Sequence, residues 1–111
     1  MELTQITPHL AVRAQVLPEE MVDIAAAGFK GVINNRPDAE GPDQPSSHEL
    51  EAEAKRHGLT YWHIPIVPGE ATENDARDFA AALEAAHGPV VAFCRTGGRS
   101  ANLWKLAQQI S

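Results

Sequence analysis

The hydrophobic positions of the chain fall into short segments that alternate between strand-like and helix-like spacing. Apolar runs typical of buried strands occupy 31–35, 59–67 and 89–93, and segment 3–14 alternates apolar and polar residues as a pair of short strands does. Apolar residues at helical spacing predict helices over 18–28, 46–57, 72–87 and 100–110. Because strands and helices alternate, the pattern predicts an α/β fold, a three-layer sandwich around a mostly parallel central sheet.

Size and charge narrow the class of protein. With 111 residues, 43% of them hydrophobic and 22% charged, we expect one domain spanning 1–111. The net charge of −6 disfavours nucleic acid and anionic membranes as partners, so any bound anion must be captured locally. The sequence lacks an apolar run of the roughly 20 residues that span a bilayer, and its N-terminus lacks a secretory pattern, so we expect a cytoplasmic protein with no membrane partner.

The predicted topology places a ligand site at one edge of the sheet. In parallel sheets, ligands bind beyond the carboxyl ends of the strands. Three predicted loops reach that edge, at 36–45, 67–71 and 94–100. The third contains Cys94, the only cysteine of the chain, so neither an internal disulfide nor a cysteine-rich zinc site is expected.

The loop that starts at Cys94 has the composition of an oxyanion site. Gly97 and Gly98 allow successive backbone N–H groups to point inward at the start of a helix, where the dipole favours negative charge. Arg99 adds a planar fork of donors, and the same field favours the Cys94 thiolate. Ser100 is expected to cap the helix and to donate to the thiolate. A lone cysteine after an apolar strand is usually a small buried hydrophobe, but a core needs none of these neighbours.

The motifs resemble a known group of enzymes. FCRTGGRSANLW at 93–104 is similar to the signature of cysteine-dependent phosphatases of the protein-tyrosine and dual-specificity type. With NNRPD at 34–38, QPS at 44–46 and YWHIP at 61–65, the chain more closely resembles a small bacterial phosphatase-like domain, found alone or fused to a metallo-β-lactamase-type hydrolase. The resemblance implies a cysteine phosphatase-like fold, hydrolysis of phosphate monoesters through a cysteinyl-phosphate, and a metallo-β-lactamase-type partner domain. Related domains run further, so we expect either a shortened C-terminus or a partner covering one face of the sheet.

The resemblance also implies residue roles. Cys94 is the nucleophile, Arg99 and Ser100 complete the catalytic loop, and the proton donor is Glu70 or Asp38. The substrate or another oxyanion would contact one arginine outside the loop, Arg36. Within the loop it would contact Arg95, Thr96, Gly97 and Gly98. Arg36 could instead pair with Asp38. No cofactor is implied, and the histidines lack metal-ligand spacing, so no metal is expected.

One departure keeps two alternatives open. Only four residues separate Cys94 from Arg99, where the phosphatase signature has five. A cradle of this length resembles the loop of rhodanese-type sulfurtransferases, in which the cysteine carries a persulfide. The second alternative has a different basis: it is a noncatalytic oxyanion-binding module, because no carboxylate stands clearly at the acid position.

Overall fold

Five strands form one central sheet in the computed structural model, which describes residues 2–110. They are β1 (Thr4–Thr7), β2 (Leu10–Arg13), β3 (Gly31–Asn34), β4 (Thr60–His63) and β5 (Val90–Phe93). Their spatial order is β1-β2-β5-β3-β4; β1 pairs with β2 antiparallel and the other pairs are parallel. The predicted strand pair at the N-terminus and the mostly parallel sheet are both confirmed.

Helices cover both faces of this sheet. They are α1 (Met21–Ala26), α2 (Ser47–Arg56), α3 (Glu73–Ala85) and α4 (Gly98–Gln109). Alternate residues of β5 point to opposite faces: Val90 and Ala92 pack with α3 and α4, whereas Val91 and Phe93 pack with α1 and α2. The three-layer α/β sandwich is therefore confirmed, with β5 buried on both faces.

Three predicted boundaries are wrong for local reasons. The helix predicted from Pro18 begins as a 3-10 turn (Pro18–Glu20) before α1. The strand predicted over 59–67 ends at His63, because Pro65 has no N–H. The N–H groups of Ile64 and Ile66 still donate to the carbonyls of Asn34, the last residue of β3, and Asn35, the residue after it. The last helix begins at Gly98 instead of Ser100.

The register of the sheet brings the predicted loops together. Arg13, Asn34 and Phe93 lie at the same level at the carboxyl ends of β2, β3 and β5. The Asn35 N–H donates to the Phe93 carbonyl at 2.8 Å, so the chain segments leaving β3 and β5 start side by side. Within residues 2–110, no helix is long and apolar enough to span a bilayer.

Candidate active site

Cys94 directly follows β5, and its side chain is completely buried. After a short turn, α4 begins at Gly98, with Gly97 as its N-cap residue in the left-handed conformation (φ 98°). The Gly97 N–H donates to Cys94 Sγ over 3.0 Å. A Cβ at position 97 would lie 3.3 Å from backbone atoms of Arg13, so a larger residue there would combine an unfavourable φ with a tight contact against β2.

Two opposing effects set the pKa of the Cys94 thiol. Burial raises it, because a buried thiolate loses its water, but hydrogen bonds from four backbone N–H groups outweigh burial and leave the pKa below its usual value. Those N–H groups belong to Ser100, Thr96, Arg99 and Gly97. Donors arranged around an anion at the start of a helix can also bind the oxygens of a tetrahedral oxyanion. The loop therefore favours a thiolate and offers an anion cradle beside it.

Arg99, in the first turn of α4, contacts two other loops at this edge. Its Nη1 and Nη2 donate to the two carboxylate oxygens of Glu40 at 2.8 and 2.7 Å, and Nη1 also donates to the Ile66 carbonyl at 2.8 Å. The hydrogen bonds with Glu40 raise the pKa of Arg99, burial opposes them, and the neighbouring Cys94 sulfur adds to the increase. The guanidinium is thus a fixed cation within reach of the sulfur.

Glu40 is the carboxylate of the site that sequence reasoning missed. Hydrogen bonds from Arg99 lower its pKa to about 2, against a smaller effect of burial, and Arg36 contributes in the same direction. Arg36 Nε donates to Glu40 Oε1 at 2.9 Å. Glu40 and Arg99 are 59 positions apart, and the only sequence signal was that Glu40 lies in a loop predicted to reach the same sheet edge.

Two of the remaining predicted binding residues, Arg36 and Arg95, lie at an open cleft of about 500 Å³. Arg36, Arg95 and Arg99 line it together with Glu40. Arg36 is buried, and its Nη1 donates to Gln15 Oε1 at 2.9 Å. The predicted loop residues Thr96 and Gly98 are exposed, as is Arg95, whereas Gly97 is buried.

The structure corrects both expectations for the Ser100 side chain. Ser100 lies inside α4, so its hydroxyl is not the helix cap, which is Gly97. The hydroxyl donates to Asn35 Oδ1 at 2.8 Å, and both side chains are completely buried. Its single proton is therefore used by Asn35, and Ser100 stabilises the sulfur through its backbone N–H instead.

The two predicted acids lie outside the cleft wall. Asp38 Oδ1 accepts the Ser47 N–H at 2.7 Å, at the start of α2, so the Asp38 carboxylate supports a helix terminus and does not pair with Arg36. Glu70 is exposed in the turn after β4, where its N–H donates to the Val67 carbonyl at 2.9 Å. Among residues 2–110, no group of three or more His, Cys, Asp or Glu side chains could hold a metal ion.

The fold and the cysteine loop define a protein of the cysteine phosphatase-like class. A Neisseria meningitidis structure provisionally assigned as a phosphatase superposes with a TM-score of 0.83 at 32% identity, covering 90% of this chain and 71% of that one. A similarly assigned Shewanella putrefaciens structure gives a TM-score of 0.83 at 23% identity, over 96% and 69% of the two chains. TpbA of P. aeruginosa, solved in complex with pTyr, gives 0.65 at 16% identity over 91% and 58%. The last two show a shared fold only.

Sequence comparison identifies the family. The family model for the phosphatase-like domain of beta-lactamase hydrolase-like proteins matches residues 2–111, and the chain belongs to this family. Beta-lactamase hydrolase-like proteins of Xylella fastidiosa and Agrobacterium fabrum are 34% identical to it over 110 residues. The match covers 99% of this chain but 26% of each relative, so the chain spans about a quarter of their length.

Proposed function

We propose that this chain hydrolyses phosphate monoesters through a cysteinyl-phosphate intermediate on Cys94. The observation that carries the proposal is the Cys94 thiol before the start of α4, which accepts the Gly97 N–H at 3.0 Å. The backbone donors of the loop lower its pKa, and Arg99 lies in the first turn of the same helix. Membership of a phosphatase-like family, and the likeness to the Neisseria structure, support an enzyme of the phosphatase type.

The chemistry follows from the charges at the site. Cys94 Sγ attacks phosphorus, the S–P bond forms as the ester P–O bond breaks, and the leaving oxygen takes up a proton. Water then attacks the same phosphorus, the S–P bond breaks, and phosphate leaves with the thiolate restored. Throughout, the loop N–H groups of Thr96, Gly97 and Gly98 and the Arg99 fork bind the nonbridging oxygens, while Arg36 and Arg95 attract the anion to the cleft. Removing one such donor from an enzyme typically costs about 10²–10³-fold in kcat.

For the proton donor, we propose Glu70 or Asp38, each of which must move toward the cleft to serve. Loss of a general acid costs about 10²–10⁴-fold with an alkyl phosphate, whose alkoxide leaves poorly, and little with an aryl phosphate. Glu70→Gln and Asp38→Asn are therefore compared on both esters, with Asp43→Asn as the charge-matched control and melting temperatures measured because Asp38 also supports α2. Full activity of both variants on the alkyl ester would reject both acids.

Sulfur transfer is a second candidate because only four residues separate Cys94 from Arg99. Cys94 would take the outer sulfur of thiosulfate and release sulfite, and cyanide would then remove that sulfur as thiocyanate. Mass spectrometry after mixing with thiosulfate or with an aryl phosphate shows which adduct forms on the protein. We expect a phosphoryl adduct that is absent in Cys94→Ser. A cyanide-dischargeable gain of one sulfur, with no phosphate release from any ester, would favour the sulfurtransferase, whereas oxyanion binding without any adduct would favour a noncatalytic module.

We also propose that the chain acts as one phosphatase-like domain beside a metallo-β-lactamase-type domain. About three quarters of each curated relative lies outside the matched region, which leaves room for such a domain. A separately produced metallo-β-lactamase-type domain should co-elute with this chain in size-exclusion chromatography. Independent elution at concentrations well above micromolar would argue against the pairing.

A further inference from the structure

We propose that Glu40 is a positioning residue, which holds the Arg99 guanidinium so that one edge faces the oxyanion beside Cys94. The proposal rests on the proposed function for the identity of that oxyanion. Glu40 acts through Arg99 and is neither the partner of the nucleophile nor the acid.

The hydrogen bonds of Arg99 define which edge remains available. A guanidinium has five N–H donors, arranged as two pairs on two edges and one single donor. The Glu40 carboxylate accepts one N–H from Nη1 and one from Nη2, which form the first pair. The Ile66 carbonyl accepts the other N–H of Nη1. The two N–H groups left, on Nε and Nη2, share the other edge, which is spaced to bind two oxygens of one tetrahedral anion. The neighbouring Cys94 sulfur contributes to the raised pKa of Arg99, in agreement with a guanidinium close to the nucleophile.

The backbone conformation of the loop that contains Glu40 directs this side chain toward α4. Ala39 has a φ of 60°, the only positive φ among non-glycine residues in 2–110, immediately before Glu40. Gln44 fixes the turn: its Oε1 accepts the N–H groups of Glu40 and Gly41 at 3.1 Å each, and its Nε2 donates to the Pro37 carbonyl at 2.7 Å. An unfavourable backbone angle is therefore maintained by a set of hydrogen bonds that direct Glu40 toward α4.

Arg36 completes the arrangement from the other side. It donates from Nε to the same Glu40 oxygen that Arg99 Nη2 uses, at 2.9 Å, and is itself anchored by Gln15. Gln15 also donates its backbone N–H to the Arg95 carbonyl, at 3.4 Å, in the cysteine loop. Two arginines thus share one carboxylate, which keeps Glu40 charged and fixed in place. In this arrangement Arg36 orients Glu40 in addition to attracting the substrate.

The test compares Glu40→Gln with Asp43→Asn, a charge-matched change in the same loop. Binding of inorganic tungstate is measured by calorimetry, and kcat and KM are measured with an aryl phosphate. Glutamine keeps the size of Glu40 but gives one acceptor instead of two, so we expect tungstate binding to weaken by about tenfold or more. A misdirected guanidinium should lower kcat/KM by about 10²-fold, chiefly through kcat. Asp43→Asn should stay within about twofold of the wild type, the usual range for a surface substitution.

A double-mutant cycle separates positioning from general support of the fold. Because Glu40 acts through Arg99, adding Glu40→Gln to Arg99→Lys should change tungstate affinity by less than about twofold. Melting temperatures of all variants show whether the fold is intact; a loss of binding that persists in Arg99→Lys would assign Glu40 a merely structural role and overturn the proposal. Tighter tungstate binding by Glu40→Gln would also overturn it, since Glu40 would then compete with the anion for Arg99.

The outcomes for Glu40 and for the proposed function are distinguishable. If the wild type hydrolyses the ester and Glu40→Gln equals it, the positioning role is wrong and the function stands. If the wild type binds tungstate without hydrolysing any ester, and Glu40→Gln weakens that binding, the function is wrong and the positioning role stands. A wild type that neither binds tungstate nor hydrolyses esters would contradict both.

Discussion

The loops that follow β5 and β3 meet at one edge of the sheet, yet they build the site from different groups. The loop after β5 supplies backbone N–H groups around Cys94, and the donors lie within six residues of the sulfur. The loop after β3 supplies side chains, and its Glu40 reaches a partner 59 positions away. The difference matters because a backbone cradle depends on local conformation, whereas a side-chain contact depends on how distant segments pack.

The largest effect is expected at Arg99, where the two loops meet. Arg99→Lys replaces a planar fork of five donors by a point charge with three, so it cannot give one pair of donors to Glu40 and a second pair to an oxyanion. We expect kcat to fall by about 10²–10³-fold with an aryl phosphate. Arg95→Lys keeps a positive charge on the exposed rim and should cost only a few-fold. Equal losses in the two variants would mean that Arg99 is not the oxyanion ligand.

The backbone cradle is tested by placing a side chain at Gly97. Gly97→Ala forces a non-glycine residue to a φ of 98° and brings its Cβ within 3.3 Å of the Arg13 backbone. The left-handed conformation alone costs about 1–2 kcal/mol, so the contact should raise the total loss in unfolding free energy above about 2 kcal/mol. Gly58 has a similar φ of 75°, but a Cβ there would meet open space, so Gly58→Ala serves as the control. Equal losses measured by urea unfolding would show that the contact with β2 is unimportant.

Ser100 connects the two loops through a buried hydrogen bond. Ser100→Ala leaves Asn35 Oδ1 without this donor, which should cost about 1–3 kcal/mol of unfolding free energy. Because the hydroxyl donates to Asn35, the pH dependence of Cys94 alkylation should stay close to that of the wild type. If the inflection of the alkylation profile moved to clearly higher pH in Ser100→Ala, the hydroxyl would be shown to donate to the thiolate.

The smallest expected effect is the pH dependence that Glu40 contributes to stability. Its pKa of about 2 in the folded protein lies below the ordinary 4.5, so its charge stabilises the fold above pH 4.5 and that contribution disappears as the pH falls toward 2. The difference in unfolding free energy between wild type and Glu40→Gln should therefore shrink over this range, when measured by urea unfolding. An unchanged difference between pH 5 and pH 2.5 would mean that the Glu40 carboxylate is not held by the arginines in solution.

The sheet and the cysteine loop were predictable because their determinants are local. Continuous apolar runs marked β3 and β5, and the Cys94 to Arg99 segment combined glycines, arginines and a helix start. The end of β4 and the first residue of α4 were missed, since proline and glycine shift such boundaries by a few residues.

The side-chain partners were not predictable in the same way. The Glu40–Arg99 and Ser100–Asn35 pairs join residues 59 and 65 positions apart, and no spacing rule links such positions in one sequence. The sequence suggested Asp38 as a candidate acid, but it did not indicate that its carboxylate also accepts the Ser47 N–H at the start of α2.

The rate of Cys94 alkylation as a function of pH tests the central claim, a thiolate inside an oxyanion cradle, most directly. With iodoacetamide, the rate should rise through an inflection below that of an ordinary free thiol, because the pKa of Cys94 is lowered, and inorganic tungstate should slow the reaction by occupying the cradle. An inflection at or above that of an ordinary free thiol, with no protection by tungstate, would contradict the account and leave Cys94 as a buried residue without reactivity.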